Sequence, residues 1–324
     1  MSTRVARVVD ALLEASVVGG FSKVGVSARR RLLAWGPLSR LDGTTVAITG
    51  ATSGLGRAMA EGAASLGADV VLVVRDGARG ASVAESLRAQ HGHGVGVVVA
   101  DLSDLAQVDA AAGELEACVR LDAVVHNAGA LTPALTLTES GDELTFATHV
   151  LGPYLLTSRL LPALRRAPDP RIVVVTSGGM YTQPLDVGRL DRDDGGYVGS
   201  AAYARCKRAQ VSLVDLHRAR LASEGVLLAA YHPGWADTEG VRASLPGFRA
   251  MMRPILRSPD EGADTALWLL SAPRHEIGAA ALYCDRAPRP LHRLSRTARS
   301  DTPAARAALD ALCRARCGLE VDCR

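Results

Sequence analysis

A chain of 324 residues with 48% hydrophobic and 22% charged residues has ample material for a core and is not a disordered polymer. Its net charge of +3 is unevenly placed: residues 1–41 carry +5, residues 285–324 carry +4 and the stretch between them −6, which argues against a nucleic-acid binder with a basic folded face. No run approaches about 18 uninterrupted apolar residues, and Asp10 and Glu14 break the most apolar part of the N-terminus, so neither a spanning helix nor a cleaved leader is expected. In chain order, residues 4–15 set Val5, Val8, Val9, Leu12 and Leu13 at helical spacing with Arg4, Arg7, Asp10 and Glu14 between them. Arg29, Arg30 and Arg31 then precede Leu32, Leu33 and Trp35, a composition suited to an interfacial helix on an anionic leaflet. Docking of this segment on the acidic body is the other reading, and the favoured one.

Alternating elements follow. Thr44–Thr49 reads as a strand, then a glycine-rich turn and a helix near 55–67. Asp69–Val74, Val95–Ala100 and Asp122–His126 read as nearly continuous apolar strands, with helices near 77–90 and over Leu105–Val119 between them. A long helix is expected near 140–165, a strand over Arg171–Ser177, a second long helix near 201–223 and a strand over Val226–Tyr231. Pro259–Leu270 reads as a helix and Gly278–Cys284 as a last strand. Apolar strands alternating with helices predict a doubly wound parallel α/β sheet, one domain. At the far end, Thr302 suits a helix cap with Pro303 as first residue, and Ala305, Leu309 and Leu312 fall on one side of that helix.

The chemistry lies at strand ends. Thr49-Gly50-Ala51-Thr52-Ser53-Gly54-Leu55-Gly56 sits between a strand and a helix, where glycines let the backbone approach a pyrophosphate at the helix N-terminus. Val74-Arg75-Asp76 ends the next strand. Val74 cannot accept a ribose hydrogen bond, while Arg75 can pair with a 2′-phosphate, so NADP(H) is preferred, with NAD(H) left open. Asp101-Leu102 can bracket an adenine edge, and Asn127-Ala128-Gly129 ends the fourth strand with the only asparagine of the chain. Lysine occurs only at Lys23 and Lys207, so 35 of the 37 basic residues are arginine and a retained lysine is a candidate for chemistry. Tyr203 and Lys207, four apart, share a helix face, and an ammonium beside a phenol is expected to move its pKa of about 10 toward neutrality. Such a phenol passes a proton to a carbonyl oxygen as hydride moves.

These motifs, with Ser177 ahead of Tyr203-x-x-x-Lys207, resemble the short-chain dehydrogenase/reductases over about residues 42–284, in the right order. The resemblance implies Tyr203 as acid/base, Ser177 as partner of the substrate oxygen, Lys207 as a ligand of the nicotinamide ribose and Asn127 as a cofactor contact. It also implies that Pro233, Gly234 and Thr238 form the loop over the nicotinamide. The three segments are then a basic helical extension (1–41), an NAD(P)-binding Rossmann domain (42–284) and a basic extension with a helix (285–324). The chain departs from the family at His149, which stands where the family has an asparagine that holds a relay water. A histidine there can bond water and is expected to titrate near neutrality. Ser177-Gly178-Gly179-Met180, Tyr231–Thr238 with Gly240-Val241-Arg242, and Asp285-Arg286 resemble a subgroup near the retinol-dehydrogenase-like members.

The implied function is NADP(H)-dependent interconversion of a carbonyl and an alcohol on a lipophilic small molecule, with no nucleic-acid partner. An idle nucleotide-binding sensor or scaffold is the alternative class. A nucleotide-sugar epimerase would need the spacing T-G-x-x-G-x-x-G, which is absent. Trp235, Met180, Tyr181, Met251 and Met252 are candidates for an apolar substrate wall or for local packing. Cys118, Cys206, Cys284, Cys313, Cys317 and Cys323 show no C-x-x-C pair and no histidine among the last three, so reduced thiols in a cytoplasmic protein without a metal site are expected. A weak peripheral membrane contact is carried as a second localisation, and the oligomeric state is open, a homodimer among the options.

Overall fold

The computed structural model describes residues 3–117, 120–191, 196–238 and 246–319. Cys118, Cys323, Gly240, Val241 and Arg242 lie outside the described residues. Three helices open the chain: α1 (Thr3–Ala15), α2 (Val17–Phe21) and α3 (Lys23–Leu32). The body then alternates β1 (Thr45–Thr49), α4 (Gly54–Ser65), β2 (Asp69–Val74), α5 (Gly77–His91), β3 (Val95–Val99), α6 (Leu105–Glu116) and β4 (Ala123–His126). It continues through α7 (Leu144–Phe146), a π-turn over Ala147–Leu151, α8 (Gly152–Leu164), β5 (Arg171–Val175), α9 (Gly199–Ser223) and β6 (Leu227–Tyr231). Then come α10 (Pro246–Met252), α11 (Pro259–Ser271), α12 (Arg274–Ile277), β7 (Leu282–Cys284), β8 (Ala287–Pro288), α13 (Ser295–Ser300) and α14 (Pro303–Arg316).

The strands form one sheet in the order β3-β2-β1-β4-β5-β6-β7-β8, parallel except for the last pair. The order reverses between β1 and β4, so the crevice of this Rossmann-type sheet opens beyond their C-terminal ends. Helices cover both faces, and each face has its own apolar layer. One gathers Phe146, Leu151, Leu156, Leu160 and Ile172; the other gathers Ile48, Met59, Leu72, Leu87 and Leu267.

Three departures from the sequence reading have physical causes. The helix expected near 140–165 starts at Leu144, because the Glu143 carboxylate accepts the Thr145 and Phe146 amides and caps it. Its second turn widens to a π-turn that carries His149. The strand expected over Gly278–Cys284 shortens to Leu282–Cys284, and Asp285 and Arg286 then reverse the chain at φ 55° and 53°, so β8 pairs antiparallel with β7.

Both extensions dock on the body. Leu309 and Cys313 of α14 are fully buried, and Thr302 caps the helix by accepting the Ala305 amide at 3.1 Å. At the other end Arg29 is 0% exposed, which overturns its place in a leaflet-facing Arg29–Arg31 cluster. Its guanidinium meets Asp10 at 2.6 Å, Glu14 at 3.1 Å and Asp285 at 2.6 Å, and Asp285 also binds Arg257 at 2.6 Å. No helix among the described residues is long and apolar enough to cross a membrane.

Candidate active site

At the end of β1 the chain must turn within van der Waals contact of the β4 end. Gly50 has φ +67°, and a Cβ there would stand 2.8 Å from the Ala128 Cα. A Cβ on Gly56 would collide with the Gly50 carbonyl and the Asn127 amide. The turn therefore needs bare backbone, and it delivers the N-terminus of α4 into the cleft. Ser53 stands at the cap position of α4 without a side-chain capping bond. Asn127 Nδ2 donates to the Thr49 carbonyl at 2.9 Å and to the Gly50 carbonyl at 3.2 Å, which ties the β4 end to the glycine turn.

Seventeen of the eighteen expected site residues line one cleft of about 830 Å³. Gly50, Ser53, Gly54, Leu55 and Gly56 form its floor, Arg75, Asp101 and Leu102 one end, Asn127, Ala128 and Gly129 its middle. Ser177, Tyr203, Lys207, Pro233, Gly234 and Thr238 form the other end. Thr49 is the exception. It is 0% exposed, and its hydroxyl accepts the Asn127 and Ala128 amides at 2.9 and 3.0 Å, so it clasps β1 to β4 behind the wall. Its side chain turns sideways to β4 and is taken up by those two amides, so it does not reach the crevice that opens just beyond it.

Arg75 extends from the end of β2 with its side chain 82% exposed and 3.9 Å from Asp101. Arg79 and Thr52 line the same end and escaped sequence reasoning. Their signal was position: Arg79 lies in the first turn of the helix after β2, and Thr52 sits inside the glycine turn. Ser200, one turn before Tyr203 on α9, was equally within reach of helical spacing. Of the five candidates for a substrate wall only Trp235 lines the cleft. Met180 and Tyr181 are buried in the core and Met251 is 73% exposed, because the 3₁₀ turn over Gly178–Thr182 folds inward and α10 faces out.

Lys207 is 3% exposed, and its ammonium donates to the Val175 carbonyl at 2.8 Å while lying 5.5 Å from the Tyr203 ring centre. Burial pulls its pKa down to about 7. The expected fall of the Tyr203 pKa is not found. Burial pushes the phenol above its ordinary value, opposed by a hydrogen bond from Ser177. Desolvation opposes the charge of both groups, and the ammonium, 5.5 Å from the ring centre, does not offset it at the phenol. The near-neutral titration expected of His149 is overturned for the same reason: burial, then the Lys207 charge, holds the ring well below its ordinary value. Its Nε2 lies 3.0 Å from the Ala130 amide and 2.8 Å from the Ala130 carbonyl, so the ring fixes the segment after Gly129. His149 also stands edge-on to Tyr203, with ring centres 5.2 Å apart.

The loop after β6 is held from outside the body. Gly234 has φ +73°, and a Cβ there would meet the Arg257 guanidinium and the Phe21 carbonyl. The Trp235 amide donates to that carbonyl at 2.7 Å, and the Phe21 ring stacks on Trp235 and His232.

A family model described as short chain dehydrogenase matches residues 44–246. Dehydrogenase/reductase SDR family member 12 of Bos taurus is 37% identical over 264 residues, 81% of this chain and 83% of that protein. Retinol dehydrogenase 14 of Homo sapiens is 34% identical over 275 residues, 78% of this chain and 81% of that protein. A short-chain dehydrogenase from Sphingobium yanoikuyae, solved in complex with NADPH, has a TM-score of 0.58 and 26% identity, covering 69% of this chain and 83% of that one.

Proposed function

The chain belongs to the short-chain dehydrogenase family, and from that premise we propose that it interconverts a carbonyl and an alcohol on a lipophilic small molecule with NADP(H). The observation that carries the reading is the meeting of Ser177, Tyr203 and Lys207 at one end of a cleft whose floor is the Gly50–Gly56 turn. That floor fits a dinucleotide: Gly50 and Gly56 leave no room for a Cβ, and the α4 N-terminus favours a pyrophosphate charge. When bound, the nicotinamide supplies or accepts the hydride.

The remaining work falls to side chains. Tyr203 donates its proton to the carbonyl oxygen in reduction and takes it back in oxidation. Its raised pKa keeps the resting phenol protonated, the form that reduction requires. Ser177 holds the same oxygen, and Lys207 binds the ribose and lowers the cost of a transient phenolate. Thr49 serves by clasping the β1 and β4 ends, and Asn127 by holding the glycine turn to the cofactor's central part. Arg75 supports NADP(H), since a charge-assisted bond to a 2′-phosphate is worth about 1.5–3 kcal/mol, roughly 10–150-fold in affinity. Arg79 brings a second guanidinium to that end of the cleft, and a relative solved with NADPH supports the same choice. Trp235, Leu131 and Leu144 on the cleft wall and a relative named for retinol support an apolar substrate.

The test follows nicotinamide absorbance with NADPH and NADH over a panel of lipophilic ketones and aldehydes. Turnover with NADPH is expected, and Tyr203→Phe is expected to lose about 10²–10⁴-fold in rate while still binding NADPH. Near-normal turnover by the variant overturns the acid/base assignment, and a preference for NADH overturns the reading of Arg75. NADPH binding without turnover on any carbonyl or alcohol would make the chain a nucleotide sensor or scaffold.

A further inference from the structure

The N-terminal unit is attached by the Phe21 ring, stacked on Trp235 and His232, and by its charges. Asp10 and Glu14 are the only acids of residues 1–41, and both point inward. Asp10 pairs with Arg29 at 2.6 Å and Arg289 at 2.9 Å, and Glu14 pairs with Arg29 at 3.1 Å and with Arg293. On an α-helix, residues two apart stand about 200° round the axis. Val8 and Leu12 flank Asp10 at that spacing, and they are 55% and 67% exposed. In α2, Gly19, Gly20 and Phe21 are buried while Val17 and Val18 face out. In α3, Val26 and Arg29 are buried while Lys23, Val24, Arg30 and Arg31 face out.

Scattered exposed aliphatic side chains are ordinary, but these are concentrated. Five of the eleven large hydrophobic residues exposed among the described residues, Val8, Leu12, Val17, Val18 and Val24, fall within this one unit. The outward charge beside them is wholly positive. Lys23 and Arg31 are exposed, and Arg30 reaches Asp264 only at 4.0 Å.

We propose that this outward face is a docking site for an anionic lipid surface, with the aliphatic side chains entering the interface and Lys23, Arg30 and Arg31 meeting the headgroups. Charge complementarity selects this occupant: with both acids turned inward, nothing on the face attracts another cation. A second copy of the chain would set Lys23, Arg30 and Arg31 near their own equivalents, which disfavours self-association. Trp35 lies beside Arg30, with the guanidinium 5.8 Å from its ring centre, and an indole next to aliphatic and basic side chains suits the headgroup boundary of a bilayer. Helices of 13, 5 and 10 residues cannot span a bilayer, so the contact is peripheral. The proposal stands independently of the redox chemistry of the cleft.

The test is flotation of the full chain with vesicles of phosphatidylcholine alone or with phosphatidylglycerol added, at low and high salt. The wild type is expected to float with the anionic vesicles at low salt and to be released as salt rises. Val8→Asp combined with Leu12→Asp is expected to stay with the unbound fraction. Lys23→Ser, Arg30→Ser and Arg31→Ser together are expected to lose about 100-fold in partitioning, at about five-fold for each basic residue near the surface. Unchanged urea unfolding of each variant shows that the fold is intact, and the serine variant alone suffices if the aspartates unfold the unit. Failure of the wild type to float with either vesicle overturns the proposal, as does equal flotation of the wild type and both variants. A concentration-dependent dimer lost in the aspartate variant, without flotation, would make a second copy the occupant and overturn it too.

Discussion

The two extensions look alike as sequences and dock in opposite senses. Each is basic, each forms amphipathic helices and each faces a body of net negative charge. The C-terminal helix α14 buries its aliphatic side: Leu309 and Cys313 are at 0% exposure and Cys317 at 9%. Its charges serve the edges, where Asp310 accepts from Tyr154 at 2.6 Å and lies 2.7 Å from His217. The N-terminal helices bury Asp10, Glu14 and Arg29 against Asp285, Arg289 and Arg293, and leave Val8 and Leu12 outside. An amphipathic pattern says that a helix has two faces; the surface on offer decides which one turns inward. On the body the N-terminus rests through Phe21 and the Gly20 and Ser22 carbonyls, which meet Trp235, His232 and Arg257, and not through its positive charge. The two basic ends bind each other, through the two acids of one and the arginines of the other.

The largest effect that would break this contrast is expected at Asp285. It is 1% exposed and binds Arg29 and Arg257, themselves 0% and 1% exposed. Asp285→Asn keeps the shape and tolerates the left-handed φ, but it leaves the buried Arg257 guanidinium without its carboxylate and takes from Arg29 one of three. A cost of about 3–5 kcal/mol is expected, a large part of the stability of a typical domain. The shift of the urea midpoint measures it, and a shift near zero would mean that the N-terminal unit is not held by charge. Acid should act in the same direction. Burial alone would raise the Asp285 and Asp10 carboxyls, but Arg257 overcomes it at Asp285, Arg289 does so at Asp10, and Arg29 adds to both. Groups held below their ordinary value stabilise the fold above about pH 4, and that stability is lost as pH falls through the lower folded values. Limited proteolysis near Gly19 and Gly20 should therefore speed up as pH falls below 4, with a protease active in acid.

Leu309 is the counterpart at the other end. Leu309→Ala removes three buried carbon atoms from the contact between α14 and α9, with an expected cost of about 2–5 kcal/mol, the range for such core truncations. The shift is expected to be insensitive to salt and to pH between 5 and 8, since no titrating group is altered. A salt-dependent shift would show that α14 also docks by charge.

Much of the fold and most of the cleft were legible because their signals are local. Strand-turn-helix order, the three glycines of Gly50–Gly56, the single asparagine and the Tyr203–Lys207 spacing are each contained within a short stretch of chain. What escaped depends on distant partners. Thr49 reads as a cleft residue by its place in the motif, and only the β4 amides of Asn127 and Ala128 reveal it as a clasp. The Tyr203 pKa moved up rather than down because burial is set by the whole surrounding fold, which no four-residue spacing encodes. Arg29 reads as one of three consecutive surface arginines, and its burial requires Asp285, 256 positions away. The π-turn at His149 has no sequence signature in this chain, and its effect is to place the ring on the Ala130 backbone.

The smallest effect sharpens the comparison at the start of α14. Thr302 accepts the Ala305 amide at 3.1 Å and Pro303 occupies the first helical position, so this helix is capped in its own sequence. Thr302→Ala frees one amide at the helix start, and an expected cost of about 1 kcal/mol follows. Thr302→Asp restores an acceptor and adds a negative charge where the helix dipole favours one, so its stability should equal or exceed that of the wild type. The two substitutions together separate the cap from the docking contact, because neither touches Leu309 or Cys313. If α14 folds with the body in one transition, the alanine variant lowers the single melting temperature and the aspartate variant recovers it. A melting temperature unmoved by both would mean that α14 detaches before the body unfolds, and the apolar docking of this end would then be weaker than the charged docking of the other.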